Sequence, residues 1–88
     1  MTRENKMTQE EKMLWKKYFR LGNNRLNYIK KLDEIFQEIE RNFDLTGNIN
    51  SELKAEFESL EVRINVSEIL MEVTQQKMAK LNPNYHLN

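Results

Sequence analysis

Residues 51–81 of this 88-residue chain read SELKAEFESLEVRINVSEILMEVTQQKMAKL. Large apolar side chains recur in this stretch at steps of three and four residues, which places them on one face of an α-helix. Ser67 and Thr74 interrupt the series. Its members are Leu53, Phe57, Leu60, Ile64, Met71, Met78 and Leu81. The stretch therefore predicts one long helix, which Asn82 and Pro83 should end because the residue before a proline disfavours the helical conformation.

The same stretch contains a second apolar series, made of Val62, Val66, Ile69 and Val73. This series has helical spacing too, but it is displaced by about half a turn, so it points nearly opposite to the first. Alternation of apolar residues over 60–66 is also typical of a β-strand. We favour a helix because helical spacing continues on both sides and the chain offers no second strand for pairing.

Two shorter helices are expected before this one. Thr8 and Glu11 have the spacing of a capping box, so a helix should begin at about residue 9. Gly22, Asn23 and Asn24 favour a helix end followed by a new start, although a kinked continuation is an alternative. The predicted helices span residues 9–21, 25–43 and 51–81, with frayed tails at 1–7 and 83–88. The turn-forming residues of 44–50 should reverse the chain.

The predicted fold is a single all-α domain over residues 1–88. It is an antiparallel helical hairpin or a three-helix bundle with one long C-terminal helix, and it should bury Phe36, Ile39 and Phe43 against that helix. If the first helix folds back onto the second apolar series, the protein is a three-helix monomer. If it extends in line with the next helix, two copies should meet through that series. We favour the second arrangement, a homodimer that forms a helical bundle or coiled coil, with Val62, Val66, Ile69 and Val73 as the self-association residues.

Composition limits the function classes. The chain has no cysteine, which excludes disulfides and thiolate metal sites and fits a reducing compartment. No apolar run is long enough to cross a membrane, and residues 1–12 are too polar for a secretory signal, so we expect a cytoplasmic protein without a membrane partner. The richness in Lys, Asn, Glu and Ile is typical of a low-GC genome, such as that of a bacterium or a phage.

Few residues suggest chemistry. His86 is the only histidine and lies in a predicted tail, and neither of the two glycines belongs to a phosphate-binding loop. Glutamates four residues apart occur at 34 and 38, 52 and 56, and 68 and 72, but the Glu-x-x-His partner of dimetal bundles is missing. We therefore predict no enzyme, no catalytic residue, no metal site and no cofactor.

Charge is distributed unevenly along a chain whose net charge is zero. Residues 1–31 hold nine Lys and Arg against three Glu, whereas residues 32–73 hold three basic and eleven acidic residues. Lys12, Lys16 and Arg20 are spaced by four and form a basic column on the first helix. This column either faces solvent or binds an acidic protein partner, and interleaved aromatic residues make nucleic acid a further alternative.

The function predicted from the sequence is a non-catalytic helical protein–protein interaction module. Such a module would be an assembly subunit, an adaptor or a small inhibitor or regulator that docks on a larger protein machine. The alternative is a small nucleic-acid-binding regulator that uses a larger basic set. That set comprises Lys12, Lys16, Arg20, Arg25, Lys30 and Lys31.

Overall fold

The computed structural model describes residues 7–81, which form two antiparallel α-helices joined by a short loop. Helix α1 spans Gln9–Thr46 and helix α2 spans Ser51–Leu81, with no strand among these residues. The hairpin is a rod with extents of 64 × 23 × 20 Å. The predicted all-α class and the helical hairpin are confirmed. The expected tails, apart from Met7, and His86 lie outside the described residues.

Helix α1 begins as the sequence predicts, at a capping box. The Glu11 amide donates to the Thr8 hydroxyl at 3.1 Å, and the Thr8 amide donates to the Glu11 carboxylate at 2.9 Å. These two bonds satisfy amides that the first turn of a helix leaves without a partner.

The predicted helix break at residues 22–24 is wrong, because α1 continues through them to Thr46. Two helices expected at 9–21 and 25–43 are therefore one, and the described chain is not a three-helix bundle. Gly22 lies where α1 meets α2: a Cβ atom at this position would be 3.5 Å from the Met71 methyl carbon. Packing against α2 thus offsets the weak helix propensity of Gly22, which is about 1 kcal/mol below that of alanine.

The turn between the helices is shorter than the predicted 44–50 loop. Helix α1 runs three residues beyond the predicted end and stops at Gly47, which has a left-handed φ of 75° and donates its amide to the Phe43 carbonyl at 2.7 Å. Asn50 then caps α2, since its side-chain oxygen accepts from the amides of Glu52 and Leu53, both at 3.0 Å. Helix α2 begins at Ser51, as predicted, and Leu81 is its last described residue.

The two helices keep one register along the rod. Near the loop, the rings of Phe36 and Phe57 lie 6.1 Å apart. Further along, Arg25 Nε lies 2.9 Å from Glu68 Oε2, and Gly22 faces Met71. Near the open end, Gln75 Nε2 donates to the Tyr18 hydroxyl at 2.9 Å. Because each step along α1 is matched by an equal step back along α2, the contacts form one continuous antiparallel seam.

The core of this seam contains polar residues that the sequence pattern treats as interruptions. Ser67 and Thr74 are buried in α2 beside the apolar series, and the Thr74 hydroxyl donates to the Leu70 carbonyl at 2.7 Å. Bonding to its own helix satisfies the Thr74 hydroxyl, which makes its burial possible. In contrast, Phe36 and Phe43, which were predicted to be buried, remain 53% and 47% exposed, because they lie on the flank of the seam.

The two glycines allow a matched test of this geometry. We expect Gly22→Ala to raise the free energy of unfolding by about 0.5–1 kcal/mol, since the helix gains propensity and the added methyl group meets Met71 at an ordinary contact distance. Gly47→Ala should lower it by about 1 kcal/mol, because alanine disfavours a positive φ. Urea unfolding followed by circular dichroism measures both. Destabilisation by Gly22→Ala would contradict the continuous helix.

Candidate functional site

The apolar residues of α1 separate into two series in the structure. One series faces α2 and includes Tyr18, Leu32 and the buried Ile35. The other lies on one flank of the hairpin, and we call it the α1 outer stripe. Its members are Trp15, Phe19, Leu26, Ile29, Phe36 and Phe43. The predicted core grouped Phe36 and Phe43 with Ile39 and so did not separate the two series. The signal that separates them is their spacing: within each series the steps are three, four or a multiple of seven residues.

The α1 outer stripe is a largely uncovered apolar surface. Phe19 is 57% exposed and Leu26 is 59% exposed, whereas Trp15 and Ile29 are half-buried. At the open end of the hairpin the Trp15 and Phe19 rings lie 5.2 Å apart, and the Tyr18 ring lies 5.9 Å from that of Trp15. This aromatic cluster holds its shape through ring contacts within one helix.

The predicted self-association residues form a second uncovered surface, the α2 outer stripe. Val62, Val66, Ile69 and Val73 lie on the side of α2 that faces away from α1, and all four are 40–60% exposed. Continuous α1 does not fold back to cover them. Exposed β-branched residues on one face of a helix are typical of a surface that binds another helix.

The predicted basic column lies at the open end of the hairpin. Lys12, Lys16 and Arg20 are all exposed, and no carboxylate of residues 7–81 forms an ion pair with any of them. Lys12 and Lys16 border an apolar groove with Met7, Trp15 and Phe19, which we call the basic-rimmed groove. Arg20 does not line this groove.

A corresponding groove lies near the loop, and its rim is acidic. Its floor is formed by Phe36, Ile39 and Phe57, with Ile49 at the loop, and its rim holds Glu58, Glu61 and Lys54. We call this the acidic-rimmed groove. Since Phe36 belongs to the α1 outer stripe, as Phe19 does, the two grooves lie toward opposite ends of one stripe.

The hairpin converts the charge asymmetry of the sequence into a difference between the two ends of the rod. The open half, residues 7–27 and 66–81, holds seven Lys and Arg against four Glu. The loop half, residues 28–65, holds five basic and nine acidic residues. The basic and acidic segments meet in the partly exposed Arg25–Glu68 pair, which joins the two helices. The remaining charge asymmetry therefore faces outward.

The side chains of the described residues suggest binding surfaces more than chemistry. Within residues 7–81 no three acidic side chains come close enough to hold a metal ion, and Glu68 of the predicted glutamate pairs contacts Arg25. Neither helix has an apolar stretch of the length needed to span a bilayer. The chain matches no protein family, no curated protein and no solved structure.

Proposed function

We propose that this protein is a non-catalytic helical interaction module, acting as an assembly subunit, adaptor or small regulator that docks on other protein chains. The observation that carries the proposal is that the hairpin covers its inner seam and still leaves two apolar stripes exposed. Apolar stripes of this extent on a small protein favour binding, because water contact with them is unfavourable.

The residues of each proposed surface indicate the kind of partner that it binds. The basic-rimmed groove fits an acidic protein surface with an apolar side chain at its centre, because Lys12 and Lys16 border an aromatic floor. The α2 outer stripe fits the same stripe of a second copy, which keeps the self-association predicted for Val62, Val66, Ile69 and Val73. We place the module in the cytosol, in keeping with its lack of cysteine.

A nucleic-acid-binding regulator is the second candidate. Lysines beside a cluster of aromatic rings at the open end favour it, since single-stranded nucleic acids bind to such combinations. One member of the basic set is already engaged, because Arg25 pairs with Glu68 across the two helices.

Affinity capture of the tagged full chain from its source cells, with and without nuclease, tests the two candidates. We expect a stoichiometric protein partner that survives nuclease and is lost from the Lys12→Glu/Lys16→Glu variant. Lys77→Glu/Lys80→Glu is the matched control, because it makes the same charge change at the open end but on α2. Recovery of nucleic acid, with every protein partner lost on digestion, would favour the regulator instead.

A further inference from the structure

We propose that the α1 outer stripe binds a second copy of this chain, with the two α1 helices antiparallel. The inference rests on the proposed function, because it names the acidic partner of the basic-rimmed groove: the loop half of the second copy. It goes beyond the predicted self-association, which uses the α2 outer stripe on another side of the hairpin.

The α1 outer stripe has the spacing of an interface between two paired helices. We call it the outer seam, to distinguish it from the seam between α1 and α2. Nine positions from Trp15 to Phe43 follow one another at alternating steps of four and three residues. Six of them hold the apolar members of the stripe, and the other three hold Gly22, Asp33 and Glu40. This is the heptad spacing by which two helices pack side by side. At 1.5 Å per residue the outer seam is about 42 Å long. A partner helix that covers it must therefore be long as well.

Charge identifies the occupant. One end of the stripe is bordered by Lys12 and Lys16. The other end is bordered by Glu58 and Glu61 and by Lys54, which lies 3.7 Å from Glu58, so that its net charge is still negative. A long occupant must bring carboxylates to the first end and ammonium groups to the second. The α1 face of a second copy meets both requirements when it runs antiparallel, because its acidic-rimmed groove then meets the basic-rimmed groove, and the reverse holds at the other end.

The acidic positions within the outer seam decide its direction. In a parallel pair, Asp33 and Glu40 would each face the same residue of the second copy, and like charges in a partly dry interface repel. In an antiparallel pair both carboxylates face the half of α1 that carries Lys12, Lys16 and Arg20. The two grooves and the two acidic positions thus favour the same arrangement.

With both outer stripes occupied, each copy has two neighbours, and the protein forms assemblies larger than a dimer. Blocking one stripe should reduce these assemblies to dimers, and blocking both should give monomers. This difference separates the α1 contact from the predicted α2 contact.

The test is made in full-length Val66→Glu, in which the α2 outer stripe is blocked. We expect this variant to sediment as a dimer. Addition of Leu26→Glu should give monomers, with the dissociation constant raised at least about 100-fold, because a carboxylate would be buried in the outer seam. Addition of Asn27→Glu is the matched control: it adds the same charge to the next residue, also exposed but outside the stripe, and should leave a dimer. Circular dichroism checks that every variant remains helical.

The direction is measured by spin labels on this cysteine-free chain. Gln9→Cys in the Val66→Glu variant places one label near the start of each α1. In an antiparallel pair the two labels should be at least about 50 Å apart, from the helical rise and the length of the outer seam. A parallel pair would place them within about 20 Å, which would overturn the proposed direction.

Three further results would overturn the inference. If the Val66→Glu chain were monomeric, the α1 contact would be excluded, and the α2 contact would account for all self-association of the wild type. A dimer that survives Leu26→Glu would place its contact elsewhere. Monomeric wild-type protein would exclude both contacts, while capture of another protein would still support the interaction module.

Discussion

Leu60→Ala is expected to lower the free energy of unfolding by about 2–4 kcal/mol, the usual cost of removing a buried leucine side chain. Leu60 is 9% exposed and lies in the seam between the helices. A hairpin of only two helices has few neighbouring side chains that could relax into the cavity left by alanine. Small domains have a total stability of about 5–15 kcal/mol, so this change removes a large fraction of it. Urea unfolding of dilute protein, followed by circular dichroism, measures the loss.

Val62→Ala is the matched control for Leu60→Ala. The two residues lie two positions apart on α2, but Val62 is 60% exposed on the outer stripe. Its truncation should change the free energy of unfolding of the monomeric hairpin by less than about 0.5 kcal/mol. Equal losses from the two variants would show that a single chain covers both faces of α2, contrary to the open hairpin.

Val66→Glu is expected to remove the proposed contact through the α2 outer stripe while the hairpin stays helical. Val66 is 47% exposed in the hairpin, so glutamate is tolerated there, but a second copy packed on the stripe would bury its charge without a partner. We expect the affinity of this contact to fall at least about 100-fold. Sedimentation velocity should show species smaller than those of the wild type.

Asn65→Glu is the control for Val66→Glu, since it adds the same charge to an exposed neighbour outside the stripe. It should leave the sedimentation of the wild type unchanged. Complete loss of the helical signal in Val66→Glu, with no soluble species, would instead show that the stripe belongs to an intramolecular core.

Local rules of sequence were enough for the all-α class, the first capping box and the long C-terminal helix. Thr8 and Glu11 form their capping box through bonds between near neighbours, and the helical spacing of 51–81 specifies its own face. The helix break predicted at Gly22 is wrong because a helical glycine is stabilised here by packing near Met71, which is far away in the sequence and close only after folding. A helix-end rule that considers only residues adjacent in the sequence does not include that contact.

The candidate surfaces were predictable in part. The exposure of Val62, Val66, Ile69 and Val73 follows from their displacement from the main series, and the structure leaves all four exposed. Phe36 and Phe43 were expected in the core because they share helical spacing with Ile39. Assigning them to the flank requires the register of the two helices, which is set by pairs such as Tyr18–Gln75 at a separation of 57 residues.

The single register of the hairpin also has a kinetic consequence. The Phe36–Phe57 contact closes a short loop, whereas the Tyr18–Gln75 contact closes a loop more than twice as long. Because the entropic cost of closure grows with loop length, we expect the helices to zip from the turn toward the open end. The open end then forms last and opens first. Since it carries Lys12 and Lys16, the basic-rimmed groove belongs to the least stable segment of the rod, and a bound partner would slow its opening.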